Sequence, residues 1–407
     1  MQKDFSEKSR HLNGERRSFR LCMHENDEDL CRLVMEDNVF NEWAAATLDG
    51  LINSTAKLPS RERLIYHSTN DDTFGLLTNR TIELSTFTAR TFPPRVQFYP
   101  VLYPFGGLDL LNARAAFPHA PAYVIMSNLP LGSRACFASP NCAATARKSA
   151  VGFLRHAHEY GLAWTSTERM VQLFGMQAVG TTAPIGVLPS LLLCARLMGL
   201  RIRSVRSLKT SDGGEHLAFR QHAVYASNLT GVVVETNGPR LVYLSVTIKL
   251  DRDDILGWGW RPMPKIDAAA TAVALADIEH AVRQVIGDVP PILMLKAAPH
   301  YINRDPIVAK WALRLAGATL HDETGLVPAH YNDSLLTGGV QWAVHGFGRF
   351  VDWTFRERFW YGREANTLKQ LCKGPELPVR WGYAAGASPK RFVGNGVLIA
   401  GWRRSIL

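Results

Sequence analysis

The sequence predicts an α/β protein with a mixed sheet and hairpin additions in its C-terminal half, and three features predict it. Residues 101–132 (VLYPFGGLDLLNARAAFPHAPAYVIMSNLPLG) read as a strand, a Gly-Gly turn, a helix and a second strand. Asn237-Gly238-Pro239-Arg240 parts two runs rich in Val, Leu and Thr, and Asn-Gly between such runs is a strong hairpin signal. Asp305-Pro306 opens an amphipathic helix soon after the apolar run Pro291 to Leu295, so strands and helices alternate. An opening strand-turn-helix-strand unit puts a ligand at the strand ends, and the expected sheet is Rossmann-like.

The chain has 407 residues, enough to bury a large core. With 46% hydrophobic and 20% charged residues it has an ordinary globular composition. No apolar run reaches about 18 residues, and Ala183 to Leu200 is broken by Pro184, Gly186, Pro189 and Arg196, so no membrane span is expected. The first thirty residues mix both charge signs and lack an apolar segment of signal-peptide type. Six cysteines without C-x-x-C spacing read as reduced thiols in a cytoplasmic protein. The net charge of +10 is dispersed, with no run of five basic residues, which favours a solvated basic surface over a nucleic-acid face.

Taken in order, residues 1–38 read as a mobile charged arm with a short helix near Glu28 to Met35, and 39–407 as a single elaborated α/β domain. Phe40 to Ile52 carries an apolar stripe at Phe40, Trp43, Ala44, Leu48 and Leu51, as a helix does. Asn53 to Pro100 is irregular and predicts loops and short extended pieces. Val101 to Tyr103 continues an apolar run from Val96 and is the first core strand, broken at Pro104-Phe105-Gly106-Gly107. Asp109 can cap the helix from Leu110, Pro118 ends it, and Ala122 to Met126 is the second strand.

Helices follow at Cys142 to Tyr160, Thr167 to Met176 and Pro189 to Leu200, then a half-exposed strand at Arg201 to Leu208 and a turn at Ser211 to Gly214. Gly231 to Thr236 and Leu241 to Lys249 form the hairpin, Thr271 to Ile286 a helix, and Pro291 to Leu295 a buried strand. The helix capped by Asp305 runs to Leu315. Ala318 to Leu320 and Leu326 to His330 predict a second hairpin about His321-Asp322-Glu323-Thr324-Gly325. A Gly- and aromatic-rich stretch at Val340 to Phe350, a helix at Trp353 to Cys372 and a strand at Val397 to Trp402 complete the chain.

Four segments, Tyr103 to Asp109, Ala116 to Tyr123, Leu320 to Gly325 and Gly394 to Ala400, together resemble an uncharacterised bacterial family with cyanobacterial and Bacteroidetes members. The resemblance covers mainly residues 96–132 and 290–402; it implies a shared fold and supplies no chemistry. The family pattern has an acid just after the second strand. Here Leu129 stands there with Asn128 beside it, which departs from an acidic ribose contact.

Candidate site residues come from two parts of the chain. Tyr103, Gly106, Gly107 and Asp109 could cradle an anion or nucleotide at a helix N-terminus, with Ser127 and Asn128 from the second strand. Neither G-x-G-x-x-G nor a P-loop lysine is present, and a capped turn is the simpler account of the glycines. His300 and Tyr301 lie past a buried strand, where α/β enzymes place catalytic groups, and Asp322 with Glu323 could do acid–base work or form an ordinary turn. His156 and His158 project about 200° apart on a helix and cannot share an ion, so no metal is expected.

These features predict an enzyme that binds a small polar or anionic metabolite, of methyltransferase-like type if it uses a nucleotide cofactor. S-adenosylmethionine is then the expected cofactor, because such a transfer needs positioning more than a reactive side chain. The alternative expectation is a non-catalytic basic module for nucleic acid or an acidic partner, with affinity that falls steeply with salt.

Overall fold

A computed structural model describes residues 41–42, 44, 82, 84–104, 110–127, 131, 187–208, 229–246, 268–295, 306–322, 328–347, 370–371 and 398–407. The arm at 1–38, the expected helices at 142–160 and 167–176, the turn at 211–214, and most of those at 40–52 and 353–372 lie outside these residues.

In chain order the elements are β1 (Val101–Tyr103), α1 (Leu110–Ala116), β2 (Ala122–Ser127), α2 (Leu188–Leu197), β3 (Ile202–Ser207), β4 (Thr230–Thr236) and β5 (Arg240–Ser245). Then come α3 (Ala268–Ile286), β6 (Ile292–Leu295), α4 (Pro306–Leu315), β7 (Ala318–Asp322), α5 (Ser334–Thr337), β8 (Trp342–Phe347) and β9 (Leu398–Arg403). Among the described residues the strands form one mixed sheet of nine, ordered β3-β4-β5-β2-β1-β6-β7-β9-β8. Its middle is parallel: β5, β2, β1, β6 and β7 all run the same way. Antiparallel strands flank them, β4 and β3 on one side, β9 then β8 on the other.

Parallel strands need cover on both faces, and the sequence supplies apolar residues at every position of β1 and β6. Val101 and Tyr103 point into one core with Tyr123, Ile125, Tyr243 and α1 and α2; Leu102 points into the other with Val124, Leu293 and α3 and α4. That alternation is the period-two rule of a strand applied to two cores at once. α2 ends where Gly199 adopts φ 71°, the left-handed cap that halts a helix. The amide N–H of Leu200 donates to Ala195 O at 2.9 Å, turning the chain into β3.

The hairpin read from Asn237-Gly238 is β4–β5. The Thr236 hydroxyl accepts from the Gly238 N–H at 3.0 Å and donates to Pro239 O at 2.7 Å, so one side chain closes the turn. At the outer edge, Asn41 makes a two-way amide pair with Ile202 of β3: its Nδ2 donates to Ile202 O and its Oδ1 accepts from Ile202 N–H at 3.0 Å. At the other end, Arg403 donates to Leu313 O at 2.7 Å and Arg314 O at 2.5 Å. It thereby caps the last turn of α4, with its guanidinium 5.8 Å from the Trp342 ring.

Two expectations are corrected. Residues 84–91 are helical rather than irregular, because Leu84, Thr88 and Phe92 recur at four-residue spacing and are buried together. The Thr88 hydroxyl reaches Ala116 O at 2.5 Å, so a residue of weak helix propensity is held by tertiary contact. The first core strand is Val101–Tyr103 as read, and within the stretch before it Pro94–Phe98 is a 3-10 turn led by Pro94. The second hairpin does not exist. β7 pairs with β6 in parallel and with β9 in antiparallel, and Pro328–Asn332 is another 3-10 turn.

Leu102 is wholly buried at the centre of the sheet, between Val124 of β2 and Leu293 of β6. Leu102→Ala is expected to lower the unfolding free energy by about 2–5 kcal/mol. Urea titration measures this, and a loss below about 1 kcal/mol would contradict central packing.

Candidate functional site

The carboxyl ends of the parallel strands share one rim. β1 leads through α1 to β2 on one side, whereas β5 leads through α3 to β6 on the other. The order therefore reverses between β1 and β6, and in open α/β sheets a crevice for ligand opens at such a point.

Tyr103 ends β1 and is 2% exposed, with its ring in the first core. Ser127 ends β2, in register with Ser245 at the end of β5. Asp322 ends β7, one residue past the Leu295–His321 pair that closes β6. Tyr103 and Asp322 are thus on the same rim, two strands apart with β6 between them, a lateral separation of about 10 Å. Gly106, Gly107, Asp109, Asn128, His300, Tyr301 and Glu323 lie outside the described residues, as do the side chains of Ser127 and Asp322.

The rim also carries a group that sequence reading missed. His321 faces the second core, beside Leu295 of β6 and Ile399 of β9, and is 1% exposed. The Tyr331 ring lies over it at 5.9 Å between centroids and 16° between planes. The Tyr331 hydroxyl shares a 2.6 Å hydrogen bond with Thr319, two residues earlier on the same face of β7. Beyond Tyr331 stands Trp342, ring to ring at 5.3 Å.

Several buried polar atoms in this neighbourhood have no partner among the described residues: both ring nitrogens of His321, Nδ1 of His330 and the indole nitrogen of Trp342. Burial, and then the neighbouring His330, push the His321 imidazole down to about 3. Burial lowers His330 as well, against the pull of Asp333, and raises the Tyr331 phenol, against its bond to Thr319. The cluster is therefore neutral at physiological pH and can accept a hydrogen bond but carries no charge. Among the described residues, no three His, Cys, Asp or Glu groups gather as a metal site would require. Among them, too, no helix is long and apolar enough to cross a membrane.

His321 was legible only as part of a turn motif. In Ala318-Thr319-Leu320-His321-Asp322 the period-two pattern puts Thr319 and His321 on one face, and that was the available signal. No protein-family model, curated protein or solved structure matches the chain.

The imidazole makes stability depend on pH with a definite sign. Its folded pKa, about 3, lies below the ordinary imidazole value of 6.5, so the unfolded chain takes up the proton first. The contribution is intact above pH 6.5 and is lost as pH falls from there towards 3, by up to about 1.4 kcal/mol per pH unit. Urea midpoints between pH 7 and 5, above the usual carboxylate range, should fall in the parent protein. His321→Leu should show a slope shallower by one proton, and equal slopes would contradict the burial of a neutral ring.

Proposed function

We propose that the chain is a methyltransferase-like group transferase that uses S-adenosylmethionine and acts on a small polar or anionic acceptor at the strand-end rim. The strand order carries this reading. Numbered along the chain, the five parallel strands run third, second, first, fourth, fifth, an order that supports a doubly wound, Rossmann-like reading. The sheet then continues with an antiparallel strand, β9, inserted between β7 and β8. That insertion is the feature by which methyltransferase sheets differ from the all-parallel dinucleotide sheet. A shared order is an analogy of fold, so the weight passes to the residues at the rim.

The residue types that the sequence puts after β1 and β2 support a nucleoside of this kind. Gly106 and Gly107 follow β1 and allow close backbone approach, and Asp109 directly precedes α1. Ser127 closes β2 and Asn128 follows, offering neutral hydrogen bonds to a ribose where dinucleotide sheets use an acid. When bound, S-adenosylmethionine supplies an electrophilic methyl group, so the protein need supply only alignment and exclusion of water. On the other side of the switch point, His300, Tyr301, Asp322 and Glu323 would orient the acceptor and take up its proton.

Isothermal titration with S-adenosylmethionine and S-adenosylhomocysteine tests the reading. Saturable binding is expected, with about 2.7 kcal/mol of added stability at about a hundred times Kd. Asp109→Ala and Asn128→Ala should each weaken binding about tenfold, a loss of about 1.4 kcal/mol. A folded protein that binds neither compound at millimolar concentration would overturn it.

A further inference from the structure

The two sides of the sheet end in unlike strands. β3 carries Arg203 and Arg206 and a register shift between Ile202 and Ser204, and charges and bulges are devices that keep an edge from pairing. β8 has neither. From Trp342 to Phe347 it holds no lysine, arginine, carboxylate or proline, and its register with β9 is unbroken. In a chain of net charge +10 that is an uncharged strip. Among the described residues β8 is the last strand on its side.

The ladder fixes which peptide groups face away. The Arg404 N–H donates to Gln341 O at 3.0 Å, so the Gln341 peptide faces β9. Such residues alternate in an antiparallel pair, and Ala343, His345 and Phe347 therefore face β9 as well. Trp342, Val344 and Gly346 turn their N–H and C=O groups outward. On the face of the second core Trp342 is buried and Val344 leans inward. On the other face Ala343 and Phe347 lean against the first core, and His345 is exposed, flat on Trp402 at 4.8 Å between centroids.

The order of side-chain sizes says what this edge fits. When a second β8 lies antiparallel about a two-fold axis through Val344, every outward residue meets an outward residue. Trp342 then stands opposite Gly346 of the second copy, His345 opposite its Ala343, and Val344 opposite its own equivalent, so large side chains meet small ones. An axis at Ala343 or His345 pairs only two of the outward residues within the strand. Glycine inside an unbulged strand marks close approach by another backbone, and an aromatic ring opposite covers what glycine leaves bare.

We propose that β8 is the interface of a two-fold symmetric dimer, in which two copies of this chain pair β8 with β8 and join their sheets into one. The contact uses the same strand of both copies and closes at two, while the arginines and bulge of β3 oppose open-ended addition at the far side. The strand-end rim has no part in it, so the dimer is independent of the transferase reading.

Sedimentation velocity of the full chain over roughly 1–100 μM tests it. The expected product is a dimer of twice the 45.2 kDa chain, with no larger species. Val344→Pro removes an N–H that β9 does not use and keeps an apolar side chain, a change that edge strands tolerate. It should weaken association at least about tenfold with the urea midpoint held. Residue-resolved amide exchange of the parent chain is the second readout, and it decides alone if Val344→Pro does not fold. The N–H groups of Trp342, Val344 and Gly346 should exchange about tenfold more slowly at the highest concentration than at the lowest, while those of Ala343 and His345 stay protected at both. A monomer throughout, a series of larger oligomers, a folded Val344→Pro that associates as the parent does, or outward amides that exchange alike at both concentrations overturns the proposal.

Discussion

Burial on both faces of the central strands is the constraint on which the structure rests. A parallel strand cannot leave one side to water, because the crossovers that connect it lay helices over both. β1 is three residues long and entirely buried, and it still carries neighbours in register on either side. The helices are therefore consequences of the strands: α1 and α2 cover the face of Val101 and Tyr103, and α3 and α4 that of Leu102. Because two cores meet at one thin layer, a strand residue that faces the wrong way would unsettle both.

The same constraint concentrates polar chemistry at the strand ends. Within β1 and β6 every position is committed to one core or the other, so chemistry there has room only where the strands stop. On the β1 and β2 side the chain offers glycines and neutral side chains; on the β7 side it offers a hydroxyl, a phenol and an uncharged imidazole. His321 is the point where the two demands collide, since the strand turns it inward and its chemistry asks for a partner.

The local signals were the legible ones. Asn237-Gly238 gave the β4–β5 hairpin, Pro306 marked the start of α4, and the apolar run before it was β6. Residues 84–91 were not legible, because three threonines and a serine in or beside them argue for loop until Leu84, Thr88 and Phe92 are seen to share a core. Nor was the fate of β7. His321 to Gly325 has the composition of a tight turn, and nothing near it in sequence points to β9, whose residues lie some eighty positions away. Pairing at that distance is set by which face must be covered, a property of the assembled sheet. Of the candidate site, the strand-end location followed from the opening unit, but His321 did not, because burial cannot be read from a turn-like motif.

The pairing of Asn41 with Ile202 bears on the molecule's behaviour towards its own copies. An outermost strand offers its free peptide groups to any passing segment, and β3 is outermost among the described residues. A carboxamide has the same donor and acceptor as a peptide unit, so Asn41 engages both Ile202 groups as one more strand would. A single side chain thus acts as a stopper, and an intruding chain would first have to dislodge it before it could lengthen the sheet.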